Sequence, residues 1–188
     1  MYYYRLAISY KGTQFFGWQY QTNGKETVMG HIQQALKRIA RYEDFFILGA
    51  SRTDTGVHAL GQIAKIALPV EIEPQKLARG LNSLLHNDIK IVKSQFCHPS
   101  FDPINESISK EYHYYFSDLY PAPPHLREIV NFTSAPLDLP LMKRGCRLFA
   151  GTFDFANYCR RSCKAGSTIR TILSCDITEI SLSPFLAK

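Results

Sequence analysis

No run of apolar residues in this sequence approaches the roughly 18 that a membrane-crossing helix needs. Nor does the opening, MYYYRLAISYKG, read as a signal peptide, since its arginine sits inside the apolar run and no small-residue cleavage site follows. The five cysteines are odd in number and lack a regular framework, so they read as reduced thiols and point to a cytoplasmic protein. Cys159 and Cys163 are four apart and Cys175 lies beyond, yet a zinc site wants paired close spacings and a complete ligand set, and no matching histidine pair follows. The expectation is a protein with no metal and no cofactor. Between Asp44 and Glu71 the only carboxylate is Asp54, which excludes a pair of neighbouring acids of the glycosidase kind there.

What remains is a folded, basic, aromatic chain. Its 188 residues suffice for one large domain or two small ones sharing a sheet. A hydrophobic share of 45% and a charged share of 20% fit a globular protein rather than a disordered one. Aromatic residues reach 13% with a single Trp, and the net charge is +6. Basic character combined with many Tyr and Phe suits a surface that tracks phosphates and stacks bases. A basic protein with no nucleic-acid partner is the alternative that charge alone leaves open.

Local patterns suggest alternating strands and helices. YYYRLAISY reads as a strand ending at the Lys11-Gly12 turn signal, followed by a polar loop that carries the Trp. Val28, Ile32, Ala35, Leu36, Ile39 and Ala40 recur at helical spacing over residues 27–42, with Thr27 as the N-cap and Lys37, Arg38 and Arg41 in the cation-favouring C-terminal half. FFILGA and QIAKIAL read as strands, Pro74 opens a second helix through Leu77, Leu81 and Leu84-Leu85, and residues 88–96 form a third strand candidate. The pattern then begins again: an aromatic strand over 107–116, a proline-rich surface loop, helical spacing over 139–149, and a last strand in ILSCDITEISL. The fold class expected is α/β (α+β) with a mixed sheet, in two similar halves, 1–100 and 101–188, the first carrying the Asp54 loop. The second half has fewer elements and stops soon after a strand, so a missing C-terminal part is expected.

Three constellations could carry chemistry. In GASRTDTGVHALGQ, Asp54 can serve as nucleophile or base, with Arg52 holding it ionised or clamping a phosphate. Local chemistry nevertheless favours a turn aspartate bonded to its own backbone, and His58 reads as a structural histidine. In KEYHYYF, strand alternation puts Tyr112, Tyr114 and Phe116 on one face, where core packing is the better reading for Tyr114 and Phe116. Arg160, Arg161, Lys164 and Arg170 form a basic cluster suited to a phosphate backbone, or equally a solvated loop.

Ordered blocks resemble one family. Gly49-Ala50-Ser51-Arg52-Thr53-Asp54-Thr55-Gly56-Val57-His58 is similar to G-A-G-R-T-D-A-G-V-H of the tRNA pseudouridine synthase A (TruA) family. Tyr10, Gly12, Phe15, Gly17, Trp18, Gln19 and Gln21 match its opening block, Leu81-Asn82 through Asp88-Ile89 a third, Lys110-x-Tyr112-x-Tyr114 a fourth, and residues 151–158 a fifth. The resemblance implies a pseudouridine synthase-like fold with a cleft between its halves, isomerising uridine to pseudouridine in the anticodon stem-loop of tRNA at positions 38–40. It implies Asp54 as the catalytic aspartate, acting as nucleophile at sugar or base or as a base. It further implies Arg52 pairing with Asp54 and holding the flipped nucleotide, Tyr112 packing on the uracil, and a homodimer reached across by one tRNA, without metal or redox agent.

Departures from the family pattern point to a second possibility. Lys11, Ser51, Thr55, Ile104 and Phe153 stand where the family usually has Asp, Gly, Ala, Arg and His, and a block like F-L-x-x-M-V-R is not found before Lys188. The alternative is therefore a catalytically impaired tRNA-binding protein of the same fold.

Overall fold

The computed structural model describes residues 1–41, 43, 45–159 and 167–180. By its contacts the chain divides into two compact units, Met1–His113 and Tyr114–Lys188. The architecture is mixed α and β, as the alternating patterns predict.

The first unit is a four-stranded antiparallel sheet with two helices. Its strands are β1 (Tyr2–Tyr10), β2 (Phe46–Gly49), β3 (Ala59–Leu68) and β4 (Ile89–Phe96), in the spatial order β2-β3-β1-β4. Along β1 the period of two sends Tyr4, Leu6, Ile8 and Tyr10 inward. They meet Val28, Ile32, Ala35 and Leu36 of α1 (Val28–Ala40) and Leu77 and Leu81 of α2 (Pro74–Leu84) in one core cluster. Each helix starts on its expected signal. Thr27 Oγ1 accepts from the Gly30 N–H at 3.2 Å, and Pro74 follows Glu73, whose carboxylate accepts from the Gln75 and Lys76 N–H groups. Asn82 ties α2 to β4 by two bonds to the Ile91 main chain, at 2.9 and 2.8 Å.

An irregularity in β3 prepares the site. Ile8 pairs with Gln62, but Tyr10 pairs with Ala59, so β3 carries an extra residue at its start. Such a bulge reverses which side chains face inward. Leu60 is accordingly 86% exposed, whereas Gln62, facing the core beside Ile8, is 7% exposed.

The second unit contains a parallel pair, β5 (Tyr115–Ser117) with β6 (Val130–Phe132), then α3 (Leu139–Arg147), and an antiparallel pair, β7 (Gly151–Asp154) with β8 (Ile169–Ile172). Asp138 caps α3 through Leu141 N–H. None of this unit's described residues is fully buried.

Here the structure corrects three expectations. The strand predicted over 107–116 is realised only as Tyr115–Ser117. Aromatic residues favour a pleated, half-buried surface, but a strand also needs an edge to pair with, and the main chain of residues 107–112 bonds to no strand among the described residues. Tyr114 and Phe116 accordingly do not pack in a core: they are 76% and 50% exposed. The last strand is Ile169–Ile172, earlier than predicted, and residues 173–180 lie outside any strand.

Candidate active site

The loop joining β2 to β3, residues 50–58, is short of regular structure yet held at many points. Gly56 takes a left-handed φ of +80° at its turn. The Val57 N–H closes that turn onto the Asp54 main-chain carbonyl at 3.2 Å. The Asp54 carboxylate takes no part in it and makes no hydrogen bond or ion pair with a described residue, so the self-capped turn aspartate of the sequence reading is not what forms.

The segment after β1 grips this loop from outside. Trp18 N–H donates to the Thr53 carbonyl at 3.1 Å, and Gly56 N–H donates to the Phe15 carbonyl at 3.2 Å. Gly12 N–H donates to His58 Nδ1 at 3.1 Å, which gives that histidine a backbone partner. Gly17 sits at φ +85°, and a Cβ there would lie 2.5 Å from the Thr53 carbonyl oxygen. Only glycine permits that approach. At Gly49 a Cβ would meet Trp18 Nε1 at 2.5 Å, so the indole packs directly against the end of β2. These contacts give the opening block a physical role, as the clamp on the aspartate loop.

Beneath the loop lie two buried polar side chains. The Tyr10 hydroxyl shares a 2.8 Å hydrogen bond with Thr53 Oγ1. Gln62 Nε2 donates to the Ser51 carbonyl at 2.6 Å. Burial pushes the Tyr10 phenol above its ordinary value, against hydrogen bonds to Thr53 and Gln62 that lower it, so the phenol is protonated at neutral pH. Sequence reasoning gave Tyr10 and Gln62 no part in the site. The polar residue at a core-facing position of a strand was the signal available.

Arg52 and Asp54 are both exposed and share this loop, but no ion pair joins them. Lys110 Nζ donates to the Ala50 carbonyl at 3.0 Å, tethering the segment that carries Tyr112 to the base of the loop. Tyr112 itself is 66% exposed, a ring available to a partner rather than to the core. Arg170 lies in β8 of the second unit, where its Nη1 donates to the Ser167 and Ile169 carbonyls. Arg160, Arg161 and Lys164 fall outside the described residues. Among the described residues no three His, Cys, Asp or Glu side chains converge as a metal site, and no helix is long and apolar enough to cross a membrane.

Comparison with known proteins adds an independent line. A family model described as tRNA pseudouridine synthase matches residues 6–102 and 146–185. Arg52 and Asp54 lie in the first matched segment, and Tyr112 lies in the interval between the two. The chain is 43% identical to tRNA pseudouridine synthase A 2 of Desulfotalea psychrophila, over 98% of this chain and 73% of that protein. It is 38% identical to tRNA pseudouridine synthase A of Frankia casuarinae, over 92% of this chain and 63% of that protein. Identity to the enzyme of the same name from Caldicellulosiruptor saccharolyticus is also 38%, over 92% of this chain and 70% of that protein.

Proposed function

The chain belongs to the tRNA pseudouridine synthase family, and we propose that it isomerises uridine to pseudouridine in the anticodon stem-loop of tRNA with Asp54 as its reacting group. The observation that carries this reading is the presentation of Asp54. Asp54 is exposed and its carboxylate bonds to no described residue, while the backbone on both sides of it is held by the main chain of buried Trp18 and Phe15. A side chain that served only the fold would be expected to bond the fold.

The reaction breaks the bond between the uracil nitrogen and the ribose, turns the base and rejoins it through carbon 5. The proton lost from carbon 5 is matched by one gained at the freed nitrogen, so no electrons are supplied or removed. Asp54 acts as nucleophile or base during that exchange. Arg52, exposed two residues away, contacts a phosphate or the flipped nucleotide. Tyr112 offers its ring to the uracil, and stacking of this kind offsets part of the few kcal/mol that base flipping costs. The net charge of +6 favours the phosphate backbone. Arg160, Arg161, Lys164 and Arg170 are assigned to that contact. The working form is a homodimer in the cytoplasm, with tRNA as its partner.

Release of tritium from tRNA labelled at carbon 5 of uridine tests the reading. Release by the purified chain at catalytic amounts supports it. Binding of tRNA without release favours the impaired binder instead.

A further inference from the structure

From Ser51 to Asp54 the chain alternates: Ser51 and Thr53 are half-buried, Arg52 and Asp54 exposed. An extended segment sends successive side chains to opposite sides. Whatever holds residues 51 and 53 from within therefore decides how 52 and 54 are presented. Two side chains do so, Gln62 on the Ser51 carbonyl and Tyr10 on the Thr53 hydroxyl. Both are deeply buried, Tyr10 at 4% exposure and Gln62 at 7%. Neither polar group is needed to fill the core. Phenylalanine matches the Tyr10 ring, which packs beside Trp18 at 6.2 Å between centroids, and the neighbouring core-facing positions of β3 are Ala64 and Ile66. Burying an amide and a phenol costs stability unless each is hydrogen-bonded, and the partners here are two residues of the reacting loop itself, Ser51 and Thr53. Gln62 lies opposite Ile8 as the last pair of the regular β1–β3 register, and the bulge follows it, bringing Ala59 opposite Tyr10.

We propose that Tyr10 and Gln62 are positioning residues of the isomerisation, holding Thr53 and Ser51 from beneath so that Asp54 faces the substrate at a fixed angle. This rests on Asp54 being the reacting group. Removing either hydroxyl or amide leaves the fold closed and lets the loop shift. Loss of rate, rather than loss of tRNA affinity, is the consequence, because displacement of a reacting group on the ångström scale costs up to about 100-fold.

The test uses the whole chain with Tyr10→Phe, Gln62→Leu, Thr53→Val and Thr53→Ser, read by tritium release, tRNA affinity, thermal unfolding and amide hydrogen exchange of residues 50–58. Expected are a fall in kcat of about tenfold or more for Tyr10→Phe and Gln62→Leu, in line with a misplaced reacting group. Affinity for tRNA and the melting temperature should stay near the parent's, with faster exchange in the loop. Thr53→Val should match Tyr10→Phe, the pair combined should be no worse than either, and Thr53→Ser should restore the rate. Parent rates and parent exchange in folded Tyr10→Phe and Gln62→Leu overturn the proposal. Asp54→Asn separates the two claims: if it retains activity, the reading of Asp54 fails. If the parent itself releases no tritium, the loop's exchange alone decides, and unchanged protection in both variants overturns the positioning role.

Discussion

Alanine at position 17 and alanine at position 24 should have different consequences, although the two glycines share a backbone conformation. Gly17 has φ +85° and Gly24 φ +76°. A left-handed φ costs an L-residue about 1–2 kcal/mol, so both substitutions carry that strain. Around Gly24 a Cβ meets nothing within 4 Å, whereas at Gly17 it would lie 2.5 Å from the Thr53 carbonyl oxygen. That oxygen must retreat by about 0.5 Å to reach the 3.0 Å below which real contacts are essentially never seen. Retreat breaks its hydrogen bond from Trp18 N–H, worth about a further 1 kcal/mol. Gly17→Ala should therefore lose about 2–3 kcal/mol and Gly24→Ala about 1–2 kcal/mol in urea unfolding. The larger contrast is in turnover. Thr53 precedes Asp54, so its displacement should lower kcat about tenfold or more in Gly17→Ala, while Gly24→Ala keeps the parent rate. Equal stability losses with parent turnover in both variants would refute the clamp.

Two stability effects follow from the helix starts. Thr27→Ala removes the oxygen that caps α1 at Gly30 N–H and should lower unfolding free energy by about 1–2 kcal/mol, most of it recovered by Thr27→Ser; an unchanged urea midpoint would contradict the cap. Hydrogen bonds from Gln75 and Lys76 N–H hold the Glu73 carboxyl below its usual value. Its folded pKa is thus depressed, so its contribution is present above the unfolded value of about 4.3 and is lost as pH falls through the folded one. Glu73→Gln should flatten the acid side of the stability profile below about pH 5, and a parent-like slope in that variant would count against the assignment.

How far the sequence spoke for itself depends on where each instruction resides. The strand of β1 and the starts of α1 and α2 were readable because alternation, Thr27 and Pro74 act within a few residues. Residues 107–116 carry strand-like composition, but pairing depends on an edge elsewhere, which no local pattern encodes. The β3 bulge is invisible for the same reason, since it is defined only against β1. Asp54 and Arg52 were legible as a motif. Their local context argued for a turn capped by the aspartate, yet the turn is closed by the Asp54 main-chain carbonyl instead. The support for the loop was out of reach, because Tyr10 lies 43 residues from Thr53, and only folding brings the two hydroxyls together.

The claim that matters most is that Asp54 performs the isomerisation. Tritium release from carbon-5-labelled tRNA, with parent, Asp54→Asn and Asp54→Glu measured beside their tRNA affinities, tests it most directly. Expected are release by the parent, none by Asp54→Asn and little by Asp54→Glu, with all three binding tRNA alike. Undiminished release by Asp54→Asn would contradict that claim.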